Sequence, residues 1–219
     1  RWSVRVIFAN NQQGPVGPRK HARRCILAAI ALAAWGFANV SAVAADAGAG
    51  KVKAEGCVGC HGENGVSEIE STPSLAGQPD GFIQWQLVFF RSGARKNEVM
   101  SPIAEQLGNE DIRDLGAYFA SLKASDHPRD KGPDDQSQLS EAGKKAAAAG
   151  RCASCHGDDF AGSKATARIA GQREQYLAKA LHDYKSGARS GGGVAAMAEV
   201  AYPLSEQEIS ALAHYLARF

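Results

Sequence analysis

Cys57, Cys60 and His61 recur, residue type for residue type, as Cys152, Cys155 and His156. Cys-x-x-Cys-His is the attachment signature of c-type haem. Two thiols at this spacing add to the two vinyl groups of one porphyrin, and the adjoining imidazole gives a nitrogen to its iron. On a helix, positions i, i+3 and i+4 share a face, so one turn presents all three groups to the same ring. From 5 cysteines and 6 histidines, one such run is expected by chance about 0.003 times. Two runs predict two covalent haem c groups, with iron on His61 and on His156. A zinc or thioredoxin-like use of Cys-x-x-Cys explains neither the adjoining histidines nor the downstream methionines.

The sixth ligand is expected from methionine. The chain has 2 methionines, Met100 and Met197. They lie 39 residues after His61 and 41 after His156, each seven before a repeated leucine, Leu107 or Leu204. Thioether sulfur suits haem iron, and His/Met ligation raises the reduction potential. The competing role, a core filler, does not require one methionine per half in register. Met197 follows Gly191-Gly192-Gly193 and is read as lying in a flexible loop.

Supporting residues follow the same repeat. The Pro73 carbonyl is placed to accept the Nδ1 hydrogen of His61, and Ala167 stands at that place in the second half. Gln78 and Gln172 are expected to support either the haem edge or the packing between halves. Arg95 and Arg189 are read either as partners of haem propionates or as solvated surface. His127, His182 and His214 are expected to be surface or packing residues rather than ligands, and His21 falls in the leader.

The similarity runs beyond the motifs. Leu75-Ala76-Gly77-Gln78 matches Ile169-Ala170-Gly171-Gln172, and Phe90-Arg91-Ser92-Gly93-Ala94-Arg95 matches Tyr184-Lys185-Ser186-Gly187-Ala188-Arg189. This is a duplicated unit of about 80 residues. Residues 46–123 and 139–219 are the two domains, and 124–138, polar and with two prolines, are the linker. Each half reads as helix, motif, loop, helix, loop, helix. Ala-rich helices at 47–57 and 140–152 lead into the motifs. Middle helices start near Asp80 and Arg173 and end at Gly93 and Gly187. The last helices carry apolar stripes at Ile112, Leu115, Phe119 and Leu122 and at Ile209, Leu212 and Leu216. Ser205 and Glu208 form a capping box. The fold is therefore all-α, two tandem domains each with one haem.

Residues 1–45 hold six bases and no acid, so the remaining chain carries a net charge of −4. The basicity belongs to a leader, and no basic groove for nucleic acid is present. Arg19 to Arg24 form a positive n-region, Ile26 to Phe37 an apolar core, and Ala42-Val43-Ala44 or Val43-Ala44-Ala45 a cleavage site. The alternative is an uncleaved anchor, since residues 25–45 carry no charge and are long enough to span a bilayer. With Cys25 removed by cleavage, every remaining cysteine lies in a haem motif, as suits an exported protein. The first domain carries −4 and the second +2, which would orient encounters with charged partners.

The two Cys-x-x-Cys-His runs, Leu75-Ala76-Gly77-Gln78, Ser92-Gly93-Ala94-Arg95 and Met100-Ser101-Pro102 resemble the dihaem cytochrome c4 family, over residues 47–219. The second half departs from the pattern in lacking the prolines of Pro73-x-Leu and Met100-x-Pro. The resemblance implies a periplasmic electron carrier, a monomer loosely associated with the membrane. It would run between a quinol-oxidising bc-type complex and a terminal oxidase. Two other readings use the same sites: a haem-bearing subunit of a periplasmic dehydrogenase complex, and a dihaem peroxidase-type enzyme. The last needs an open iron, and with His and Met on both irons no site remains for a substrate.

Overall fold

The structure, a computed structural model, describes residues 44–124, 134–189 and 195–219. The leader up to residue 43 and the linker residues 125–133, with His127, lie outside the described residues. What is described falls within one compact unit, Val43–Phe219. Among the described residues the elements are helices, and the β structure is a single bridge between Ser163 and Thr166.

The first half contains α1 (Ala47–Ala54), a 3-10 turn (Glu55–Cys57), α2 (Val58–His61), α3 (Asp80–Arg91), α4 (Met100–Glu105) and α5 (Asn109–Ser121). The second contains α6 (Ser137–Ala149), α7 (Ala153–His156), α8 (Glu174–Lys185), α9 (Ala195–Ala201) and α10 (Glu206–Arg218). α1 packs on α5 and α6 on α10, with α3 and α8 closing each half against its last helix.

The Ala-rich helices stop short of the expected boundaries. α1 gives way to the 3-10 turn at Glu55, and α6 ends at Ala149. Beyond α6, Arg151 adopts a φ of 53°. The Cys152 N–H bonds back to the Ala147 carbonyl at 3.1 Å, and the Arg151 N–H to Ala148 at 3.1 Å. This is a Schellman ending with arginine where glycine is usual. It turns the chain so that Cys152 begins a new helical turn. α6 also starts at Ser137, inside the segment read as linker.

The middle helices meet the expectation. α3 and α8 end in Ser92 and Ser186, followed by Gly93 and Gly187 with φ of 74° and 76°. The stripes on α5 and α10 point inward. Ile112, Leu115 and Phe119 are buried, as are Ile209, Leu212 and Leu216. In the first half Leu115 and Phe119 pack with Ala54 and Ile83; in the second Ile209, Leu212 and Leu216 pack with Phe160, Leu177 and Leu204.

Ser205 caps α10 reciprocally: its Oγ accepts the Glu208 N–H at 3.2 Å, and the Glu208 carboxylate accepts the Ser205 N–H at 2.8 Å. At α5 the Asp111 carboxylate accepts the Gly108 N–H at 2.8 Å, but glycine offers nothing in return. Ser205→Ala is therefore expected to cost about 1 kcal/mol. Thermal unfolding should show the second domain's transition lowered by roughly 4–8 °C, the scale for a domain of this size. An unchanged transition would mean that Ser205 does not cap.

Candidate functional site

In each motif the second cysteine and the histidine lie on a single helical turn, α2 or α7, and the first cysteine is the residue that caps its start. Gly62 and Gly157 end these turns with φ of 81° and 83°. A side chain at Gly62 would meet the Val66 carbonyl at 2.0 Å, so glycine is required there. His61 and His156 are 7% and 8% exposed. The Nδ1 of His61 lies 2.9 Å from the Pro73 carbonyl oxygen, and that of His156 lies 2.8 Å from the Ala167 carbonyl oxygen. A carbonyl only accepts, so Nδ1 carries the hydrogen and the Nε2 lone pair is left for a metal. The second half, without proline, holds its histidine just as closely.

Burial pushes both imidazoles towards the neutral form, and the carbonyl bond offsets this in part. The neutral ring is the form that ligates. Burial likewise pushes the Cys57 and Cys152 thiols up; the neighbouring thiol adds to the effect at both, and at Cys152 a backbone hydrogen bond offsets it in part. All four motif cysteines are free, Cys57 and Cys152 partly buried, Cys60 and Cys155 exposed.

Met100 and Met197 do not lie in loops, and the loop placement of Met197 is corrected. Met100 opens α4 and Met197 lies within α9. The Asn97 side-chain oxygen accepts the N–H groups of Val99 at 3.0 Å and Met100 at 2.8 Å, fixing the start of α4. Met197 packs against the second core. Helices of six and seven residues show too little period to be seen in sequence. The Gly191-Gly192-Gly193 segment lies outside the described residues.

The repeated glutamines bridge the halves. Gln78 Nε2 donates to the Arg168 carbonyl at 2.8 Å, and its Oε1 accepts the Arg168 N–H at 3.0 Å. Gln172 Nε2 donates to the Ser74 carbonyl at 2.9 Å, and its Oε1 accepts the Ser74 N–H at 2.8 Å. Of the two roles expected for them, the packing between halves is the one seen.

Arg95 and Arg189 converge from opposite halves on the Gln86 side-chain oxygen, each at 2.7 Å. Arg189 is 4% exposed, which removes the solvated-surface reading for it. Its Nε is buried and unpartnered, and neither arginine pairs with a described carboxylate. The Tyr176 hydroxyl lies 3.5 Å from Arg95. Burial raises this phenol, but the charges of Arg189 and Arg95 outweigh it and bring it down to about 8. Gln86 and Tyr176 gave no sequence signal, because their counterparts Ala180 and Phe82 break the repeat.

Of the remaining histidines, His182 and His214 are described. His214 is 4% exposed, between Glu174 at 3.1 Å and Asp134 at 3.3 Å. His182 is exposed and 3.4 Å from Glu206. These placements agree with packing and surface roles.

Paired free thiols beside an Nδ1-anchored histidine, repeated in each half, fit a covalently bound haem. The Arg95 and Arg189 guanidiniums, which have no described carboxylate partner, suit its anionic propionates. Comparison with known proteins agrees. Residues 140–218 match the family model "Cytochrome c", and residues 43–119 match "Cytochrome C oxidase, cbb3-type, subunit III". The chain is thus a tandem cytochrome c, a dihaem electron-transfer protein. It is 34% identical to cytochrome c4 of Pseudomonas aeruginosa, over 83% of this chain and 92% of the relative. The crystal structure of reduced recombinant cytochrome c4 from Pseudomonas stutzeri superposes with a TM-score of 0.72 at 30% identity, covering 80% of this chain and 98% of that one. A protein described as "Thiosulfate dehydrogenase electron acceptor" from Thiomonas intermedia is 30% identical, over 75% of this chain and 79% of the relative. The chain belongs to the cytochrome c4 family and carries two covalent haem c groups with iron.

Proposed function

We propose that this protein is an exported electron carrier between a quinol-oxidising bc-type complex and a terminal oxidase. Cys57 and Cys60, and Cys152 and Cys155, attach the haems. His61 with Met100, and His156 with Met197, would hold the two irons. The observation that carries this reading is the doubled local geometry, with each motif histidine bonded through Nδ1 to a carbonyl 12 or 11 residues on and one methionine in each half.

When bound, each haem supplies one-electron chemistry between ferrous and ferric iron. The chain does the rest. His61 and His156 hold their rings fixed through the Pro73 and Ala167 carbonyls, which limits reorganisation when charge changes. Met100 and Met197 would supply the second protein ligand to each iron, which would exclude oxygen and peroxide. Arg95 and Arg189, which converge on Gln86, would offer positive charge to the haem propionates. Among the described residues no helix is long and apolar enough to cross a membrane. The leader composition supports export to the periplasm.

A second reading has support of its own. The likeness to a thiosulfate dehydrogenase electron acceptor favours a role as the haem-bearing acceptor of a periplasmic dehydrogenase. A stable dehydrogenase partner, co-purifying at native expression levels, would select it over the respiratory carrier.

The test is an anaerobic spectroscopic redox titration of exported protein, with haem counted per chain and carbon monoxide added to the reduced form. Two haems that titrate reversibly and do not bind carbon monoxide are expected. Carbon monoxide binding by either haem would overturn the six-coordinate carrier and favour an enzyme.

A further inference from the structure

We propose that Gln172 and Gln78 are positioning residues that set the proximal-histidine hydrogen bond of the opposite half, each through a single peptide group. This rests on His61 and His156 being the proximal ligands.

The argument follows the atoms. The peptide joining Pro73 to Ser74 uses both of its polar groups. Its carbonyl accepts His61 Nδ1–H at 2.9 Å, and its N–H donates to Gln172 Oε1, from the other half, at 2.8 Å. The peptide joining Ala167 to Arg168 does the same. Its carbonyl accepts His156 Nδ1–H at 2.8 Å, and its N–H donates to Gln78 Oε1 at 3.0 Å. Each chain therefore runs histidine, peptide, glutamine, and crosses between halves. The amide orientation is fixed by the partners, because only an oxygen facing the N–H and an NH₂ facing the carbonyl satisfies both bonds of each clamp.

Hydrogen bonds in such a chain strengthen one another by about 10–30% per bond. A peptide whose N–H is bonded is a better acceptor at its carbonyl. A better acceptor makes the histidine more electron-donating, which favours ferric iron. The effect is not diluted by water, since Gln78, Gln172 and Ser74 are 4%, 5% and 5% exposed.

The glycine before each glutamine makes the crossing. Gly77 and Gly171 have φ of 66° and 63°. Their N–H groups bond to the Phe119 and Leu216 carbonyls at 3.0 Å and 2.9 Å, anchoring the turn to the last helix of the same half. The glutamine beyond the turn then reaches into the other half. The two sides differ in one respect: Gln172 Oε1 also accepts the Arg173 N–H at 2.9 Å. Pro79 has no N–H to offer Gln78.

The test uses the reduced and oxidised holoprotein. Gln172→Met removes the amide at nearly constant length. The reduction equilibrium constant of the first-half haem is expected to rise two- to threefold, about 18–28 mV at 59 mV per decade. The second-half haem should not move. Gln78→Met should do the reverse. In the reduced protein the Nδ1–H resonance of His61 should shift in Gln172→Met, and that of His156 in Gln78→Met. Gln172→Glu gives the Ser74 N–H a charged acceptor, so it should lower the first haem's potential below that of the wild type with the second unmoved, and it serves alone if Gln172→Met does not assemble.

Arg173→Ala is the packing control, since Arg173 Nη1 bonds across the interface to the Ser67 carbonyl at 2.9 Å without touching either peptide. Equal shifts at both haems, a shift on the same side, no shift, or the same pattern from Arg173→Ala would overturn the proposal. A wild-type protein lacking histidine ligation would instead overturn the ligand assignment beneath it.

Discussion

Replacing Met100 with alanine is expected to lower one haem's reduction potential by on the order of 100 mV, a fraction of the ~0.8 V over which axial ligands set haem potentials. The same haem should bind carbon monoxide when reduced, and the other should do neither. Thioether sulfur is a soft donor that favours ferrous iron over ferric. Without it, ferric iron gains relative stability and a coordination position opens. The side chain is partly buried at the first residue of α4. The turn that carries it is held by Asn97, whose side-chain oxygen accepts two backbone N–H groups and whose own N–H donates to Ser101 Oγ at 3.1 Å. None of these bonds uses the methionine side chain, so the substitution should leave α4 in place. Met197→Ala should produce the same change at the other haem. If Met100→Ala left the potential unmoved and carbon monoxide excluded, another side chain would have to be the ligand.

The haem motifs were legible because their chemistry is local. Two thiols and an imidazole within five residues need only one helical turn to meet, and no distant contact is required. The stripes on α5 and α10 were legible because each repeats over three turns. The short α4 and α9 were not, since one or two turns carry no period. Arg189 was ambiguous for a different reason. An arginine reads as surface until its partners are known, and Gln86 comes from the other half with no repeat to announce it. The glutamines show the same limit. Their duplication marked Gln78 and Gln172 as important, but the sequence contains nothing that says which peptide each one bonds. Partner choice across the interface is a tertiary fact, and in this protein it is crossed. Gly50 and Gly143 carry no sequence signal, although two of the tightest helix contacts depend on them.

Those two glycines make the sharpest stability prediction. Gly50 lies inside α1 and Gly143 inside α6. Helix propensity alone says that Gly50→Ala should stabilise α1 by roughly 1 kcal/mol. Packing says the opposite and is the larger effect. A Cβ at Gly50 would stand 2.0 Å from the Asp114 carbonyl oxygen and 2.8 Å from the Tyr118 Cβ. At Gly143 it would stand 2.1 Å from the Ala211 carbonyl oxygen and 2.5 Å from the Tyr215 Cβ. These are the same crossing in both halves, α1 over α5 and α6 over α10. The obstacle is helix backbone, which cannot rotate away as a side chain can, so the two helices must separate. Separation would also pull the Asp46 N–H from Asp114 Oδ1, now 2.7 Å away, and loosen Ala54 from Leu115 and Phe119. Overpacking of a core costs about 1–3 kcal/mol when side chains can adjust; here the loss should exceed about 3 kcal/mol, the upper end of that range. For a domain of about 80 residues with a small core, that is most of its stability. Gly50→Ala should therefore yield little protein with two haems per chain, and Gly50→Val none. Gly56→Ala is the matched control, because a Cβ there meets nothing within 4 Å. It should accumulate with full haem content. A Gly50→Ala protein as stable as Gly56→Ala would mean that the helices cross with more room than the backbone allows here.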